Sequence, residues 1–140
     1  MNTIATGSTV DDAAKLVLRA TLAGLILFHG IAKISGGAGF ITGLVAQTGL
    51  PASVGYLVYV GEVLAPLLIL VGLWARAGAA IIAVNMIVAI LLVHTGDFFK
   101  LNQTGGWSLE LQAMFLGAAI AVALQGAGRY SLQGTRNRWN

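Results

Sequence analysis

A few ionisable and amide side chains fall inside long apolar runs of this chain, where each needs a reason to be there. Glu62 lies ten residues into an apolar run from Ser53 to Trp74, with Tyr59 behind it and Pro66 one turn ahead. A run of that length can cross a bilayer, and a carboxylate in the middle of one costs about 2.5 kcal/mol or more. Such a group must face protein, where desolvation favours its proton unless a cation answers it. Pro66 has no N–H to give to the carbonyl of Glu62, and the resulting kink widens the space beside the carboxyl. The chemistry this suggests is proton exchange. The plainer alternative is a protonated Glu62 acting as hydrogen-bond glue. Asn85, at nearly the same depth on the next run, is expected to be its bonding partner.

His29 and Lys33 are four apart and share a face near the end of the first apolar run. His94 and Glu110 arrive at the same end from the third and fourth runs. His29, Lys33, His94 and Glu110 are therefore expected to form a polar mouth above Glu62, fit for a small amphipathic ligand or a proton relay. The alternative is that these groups merely snorkel at helix ends. Their separation in sequence matches no metal-ligand spacing, so no metal site is assigned. Arg19, one turn inside the opposite end of the first run, is expected to snorkel or to bind a lipid phosphate.

Four segments must position these residues: about 13–34, 53–74, 77–95 and 109–125. Each approaches the roughly 20 apolar residues of a membrane span. Hydrophobic residues make up 57% of the chain and charged ones 9%, far below the roughly 25% of soluble domains. The expected fold is all-α: one membrane domain over residues 1–140, a four-helix up-and-down bundle. Between the first two spans, Phe40 to Val45 reads as a short interfacial or re-entrant helix, stopped by Gly49 and Pro51. The pairs Ala20/Gly24, Ala79/Ala83 and Gly117/Ala121 are expected to bring helix backbones together. The basic tail 129–140 reads as frayed or surface-lying.

The net charge of +3 is too small and scattered for a nucleic-acid surface. No cysteine is present, which excludes thiolate, disulfide and cysteine-ligated metal chemistry within the chain. Asp11 and Asp12 precede the first apolar run, where a cleavable signal would be basic, so that run is expected to remain as an anchor. Ser8 and Thr9, each followed three residues later by an Asp, read as capping-box chemistry. Six Lys and Arg lie on the side of the termini and the Arg76 turn, against Lys33 and Lys100 on the other, which predicts both termini in the cytoplasm.

Several motifs in order resemble the DoxX family of small bacterial membrane proteins. Phe28 to Gly37 (FHGIAKISGG) is similar to that family's first-helix signature, and Glu62 with the Leu68–Leu73 run and Ala75-Arg76 to its second helix. Gly105 to Glu110 resembles the glycine pair opening its fourth helix, and Gly128 to Leu132 its closing motif, with Gln133 where Asp is usual. The similarity runs from about residue 15 to 133. It implies a bacterial inner-membrane location and a role beside quinone-linked oxidoreductases or oxidative-stress complexes. On that reading quinone is the ligand and no cofactor is covalently bound. Glu62 and His29 would be the reactive residues, and Lys33, Tyr59, Asn85, His94 and Glu110 would contact the quinone. The chain carries no flavin, haem or nicotinamide motif, so electrons must come from a redox partner subunit. Two further readings stand beside it. One is a scaffold that recruits soluble redox enzymes through the basic tail. The other is a proton-coupled transporter, which would need a homo-oligomer.

Overall fold

The computed structural model describes residues 8–140. Its helices are α1 (Thr9–Gly36), α2 (Gly39–Gln47), α3 (Ala52–Val71), α4 (Ala75–Val93) and α5 (Glu110–Gln125). No β-strand occurs among the described residues; one isolated bridge joins Leu101 and Trp107. The chain is an all-α membrane bundle. α1, α3 and α4 are long and apolar enough to cross a membrane, whereas α5, at 16 residues, is shorter than a straight span. α1 packs on α3, α3 on α4, α4 on α5 and α5 back on α1, which closes the bundle in chain order.

Local chemistry sets the ends of these helices. Ser8 caps α1 and exchanges bonds with Asp11 in a capping box, as its spacing predicts. The short α2 exists where the sequence places it and ends before Gly49, at φ +88°, and Pro51. It packs against the start of α3, where the Cα of Thr42 leaves no room for a side chain at Gly55.

α3 is not a uniform helix. It opens as 3-10 turns over Ala52–Leu57, widens to a π-helical turn over Val60–Leu64, and continues as α-helix from Ala65 to Val71. In the wide turn the N–H of Ala65 bonds to the carbonyl of Val60. Pro66 follows at once and offers no N–H, so the irregularity sits where a regular ladder cannot continue.

The core is a narrow seam of Leu22, Ala23, Ile26, Ala65, Ile69, Ala79, Ile82, Phe115, Ala119 and Val122. The outside is as apolar as the seam. Ile81, Val84, Val88 and Leu91 form an exposed stripe on α4, and Phe28 and Met114 are each 71% exposed. Such a surface fits lipid. The close approaches differ in part from those expected: Ala79 and Ala83 do join the seam, but the other two pairs do not bring backbones together. A side chain at Gly24 or Gly117 would meet nothing within 4 Å, whereas Gly30, Gly61 and Gly78 press against neighbouring helices. Those three lie on the buried faces of their helices, and the small pairs four apart at Gly24 and Gly117 do not.

The tail is docked, not frayed. Leu132 and Gln133 donate backbone bonds to the carbonyls of Val71 and Gly72, and Trp139 accepts one from the N–H of Arg76. Asn140 is only 7% exposed, its side-chain amide bonding to Ser131 and to the carbonyl of Gly134. Arg19 neither snorkels nor reaches out to a lipid phosphate: it is only 2% exposed. Its guanidinium donates to the carbonyls of Ile69 (2.7 Å), Leu70 (2.6 Å) and Tyr130. With Leu73 N–H on Leu68 and Leu132 N–H on Val71, all four carbonyls that end α3 are served. Arg19 starts the inward stripe Arg19-Leu22-Ile26-Gly30, so the helical period turns it into the bundle.

Candidate functional site

At the end of the bundle away from the tail, α1, α3, α4 and α5 part around a cavity of about 280 Å³ that α2 helps to cover. Its wall is largely apolar, with Ile26, Val58, Met86, Leu92 and Phe115, and Phe40 and Ile41 from α2. Into this wall are set His29, Lys33, Glu62, Asn85, His94 and Gln112.

Glu62 sits in the π-helical turn and is 7% exposed. Its answering cation is Lys33: Nζ lies 2.6 Å from Oε2. The two side chains thus answer each other as an ion pair at the wall of a largely apolar site. Gly30 makes the pairing reachable. It lies one turn before Lys33, and a side chain there would collide with the carbonyl of Glu62 and stand 2.7 Å from Val63. α1 therefore meets α3 at that carbonyl. Tyr59 holds the other end of the arrangement by donating its hydroxyl to the carbonyl of Lys33 at 2.9 Å.

Asn85 does not bond Glu62 as expected. Lys33 has taken that role, and the side chain of Asn85 instead packs against Gly61, where a Cβ would overlap it. Its Nδ2 is buried and has no partner among the described residues. His29 lines the cavity and meets the ring of Phe115 edge-on, with centroids 6.0 Å apart.

His94 ends α4 and is held on both ring nitrogens. Nδ1 is 3.2 Å from Asp97 Oδ2, and Nε2 is 3.1 Å from Gln112 Nε2. Asp97 also accepts from Lys100 at 3.1 Å. Lys100 first, then His94, holds the Asp97 carboxyl below the ordinary carboxylate value.

Five of the seven residues expected at the site thus line one cavity: His29, Lys33, Glu62, Asn85 and His94. Tyr59 supports Lys33 from outside, where it also lines an external groove with Ile34, Val63, Leu64 and Leu67. Glu110 does not join them. It is exposed at the start of α5 and accepts from Asn102 at 2.9 Å. Two positions along a helix turn the face by about 200°, so Gln112 faces inward where Glu110 cannot. Gln112 opens the buried stripe Gln112-Phe115-Ala119-Val122, a spacing that marks it as inward from the sequence. No cluster of three or more His, Asp or Glu suited to a metal ion occurs among the described residues.

The fold and site define a small helical membrane protein with a buried ion pair at the wall of an apolar cavity. The DoxX family model matches residues 14–95, more than half of the chain, and the protein belongs to that family. The match takes in α1 to α4, with Lys33, Glu62, Asn85 and His94, and stops short of α5 and the tail. No curated protein and no solved structure matches the chain significantly.

Proposed function

We propose that this protein is the membrane subunit of a quinone-linked oxidoreductase or oxidative-stress complex, and that its cavity takes the quinone ring. The observation that carries the reading is the Lys33–Glu62 pair, 2.6 Å apart, at the wall of an otherwise apolar chamber of about 280 Å³. That volume is at the low end for ligand pockets and suits a flat ring better than a ring with its whole tail. A quinone carbonyl can accept from the Lys33 ammonium or from His29, while Glu62, released from Lys33, exchanges the proton.

Reduction of a quinone to its quinol takes two electrons and two protons. A partner subunit supplies the electrons, and the cavity's side chains pass the protons to the ring oxygens. Arg129, Arg136 and Arg138 lie exposed at the tail end and offer an acidic partner a landing place. The tail, Asp12 and the Arg76 turn share that end, since Arg129 N–H bonds Asp12 and Arg76 bonds the backbone of Asn140. The excess of Lys and Arg there favours a cytoplasmic placement in a bacterial inner membrane. A reporter fused after Asn140 is expected to be active only in the cytoplasm; periplasmic activity would reverse the orientation.

The test of function is purification in nanodiscs, with co-purifying quinone identified by mass spectrometry beside Glu62→Gln. Near-stoichiometric quinone that is lost in the variant supports the reading. Protein that carries none and takes up none when it is added contradicts it.

A further inference from the structure

Two amides in the cavity wall have bonding capacity to spare: the Asn85 side chain makes no hydrogen bond among the described residues, and that of Gln112 makes one, to His94. Asn85 Nδ2 and Gln112 Oε1 are buried and have no hydrogen-bond partner among the described residues. Leaving such a group unserved costs about 1–3 kcal/mol, which favours a ligand that meets it as the side chain turns toward the cavity. One is a donor and the other an acceptor. A ligand that satisfies both must present an acceptor at one place and a hydroxyl at the other.

What Gln112 offers depends on His94. The Asp97 carboxylate can only accept, so His94 Nδ1 carries the hydrogen of their contact. In neutral imidazole Nε2 is then an acceptor. Gln112 must turn its NH2 to it, which leaves Oε1 unserved, the arrangement observed. Once Nε2 is protonated it can only donate. Gln112 must then turn its oxygen to His94 and leave the NH2 for a ligand.

We infer that Asn85 and Gln112 read the oxygen atoms of the bound ring, and that the protonation state of His94 decides whether Gln112 offers a carbonyl or an amino group. The inference rests on the quinone reading above and adds specificity to it. With neutral His94, the Gln112 oxygen accepts from a quinol hydroxyl. With protonated His94, the Gln112 amino group donates to a quinone carbonyl. The site therefore changes its preferred redox form of the ligand when His94 changes charge. Other ionisable groups face the same cavity: His29 and Lys33 from α1 and Glu62 from α3, with Asp97 and its partner Lys100 beyond His94. The experiment must separate their titration from that of His94.

The probes are a short-tailed benzoquinone and its quinol, titrated under argon into the protein in nanodiscs from about pH 8 to about pH 5. The ratio of quinol Kd to quinone Kd should rise roughly tenfold as pH falls, the size of one well-placed hydrogen bond. It should be flat in Gln112→Met, which keeps His94, and flat in the non-titrating His94→Gln. Each variant therefore checks the other against a folding defect. A wild-type ratio that does not change with pH overturns the switch. So does a ratio that still changes in both variants, because His29 or Glu62 would then be its source. Absence of binding by either probe at every pH overturns the quinone reading itself, and this inference with it.

Discussion

The two ends of the bundle treat buried polar groups in opposite ways. At the tail end, Arg19 is 2% exposed and its guanidinium lies against backbone carbonyls alone, with no carboxylate beside it. Apart from its Nε, which has no partner among the described residues, its bonding serves to finish α3 and to fasten the tail. At the other end, Lys33, Glu62, His94 and Gln112 bond chiefly to one another, around an open volume, with donor and acceptor capacity left over. Backbone carbonyls cannot be titrated or exchanged; side chains at a cavity wall can. A buried charge in a membrane protein is thus structural where it completes a helix end, and a candidate for function where it borders unfilled space.

The sharpest way to break this contrast is to remove Arg19. Arg19→Met leaves the carbonyls of Ile69, Leu70 and Tyr130 without their donor, and should cost about 3 kcal/mol or more of stability. Thermal unfolding in detergent should show that loss, while quinone bound per folded molecule stays unchanged. An Arg19→Met protein of ordinary stability that no longer binds quinone would place function at the wrong end.

Gly30→Ala should have the next largest effect. Its Cβ would strike the carbonyl of Glu62, and forced overpacking of this kind costs about 1–3 kcal/mol. The shift should also separate Lys33 from Glu62, so ligand binding falls more than stability alone explains. Gly24→Ala, with nothing within 4 Å, is the control: it should leave binding unchanged and raise stability by up to about 1 kcal/mol through helix propensity.

Most of the fold is legible in the sequence, and so are five of the cavity's polar residues, though not how they pair. Hydropathy places the four bundle helices to within a few residues of their observed ends, because in lipid every backbone group must bond within a helix. The mouth residues were grouped correctly where they follow from end-of-helix counting, as for Lys33 and His94. Polarity without helical phase puts Glu110 in the mouth; the stripe beginning at Gln112 carries the phase that excludes it. The same phase turns Arg19 inward, where polarity alone suggests snorkelling. The pairing of Lys33 with Glu62 in place of Asn85 depends on Gly30 and on the π-helical turn, and neither leaves a mark in hydropathy. The docking of the tail depends on single bonds to α3 and Arg76, which a polar composition does not announce.

The smallest effect concerns the loop outside the cavity. The pKa of Asp97 is lowered on folding, so its contribution to the loop is present above the unfolded value of 3.8 and is lost as pH falls through the folded one. Trp107, whose indole donates to the carbonyl of Phe98 at 2.8 Å, reports on that loop. Its fluorescence should hold down to pH 3.8 and change below it, and Asp97→Asn should abolish the transition. A midpoint above 3.8 would mean that Lys100 and His94 do not hold the carboxylate.

On the proposed reading, quinone occupies the chamber and not the groove beside Tyr59. A photoreactive quinone, cross-linked in nanodiscs and mapped by peptide mass spectrometry, tests it most directly. Labels are expected on chamber residues such as Met86 and Phe115, suppressed by excess unlabelled quinone and lost in Glu62→Gln. Labels confined to Ile34, Val63, Leu64 and Leu67, unchanged in that variant, would contradict it.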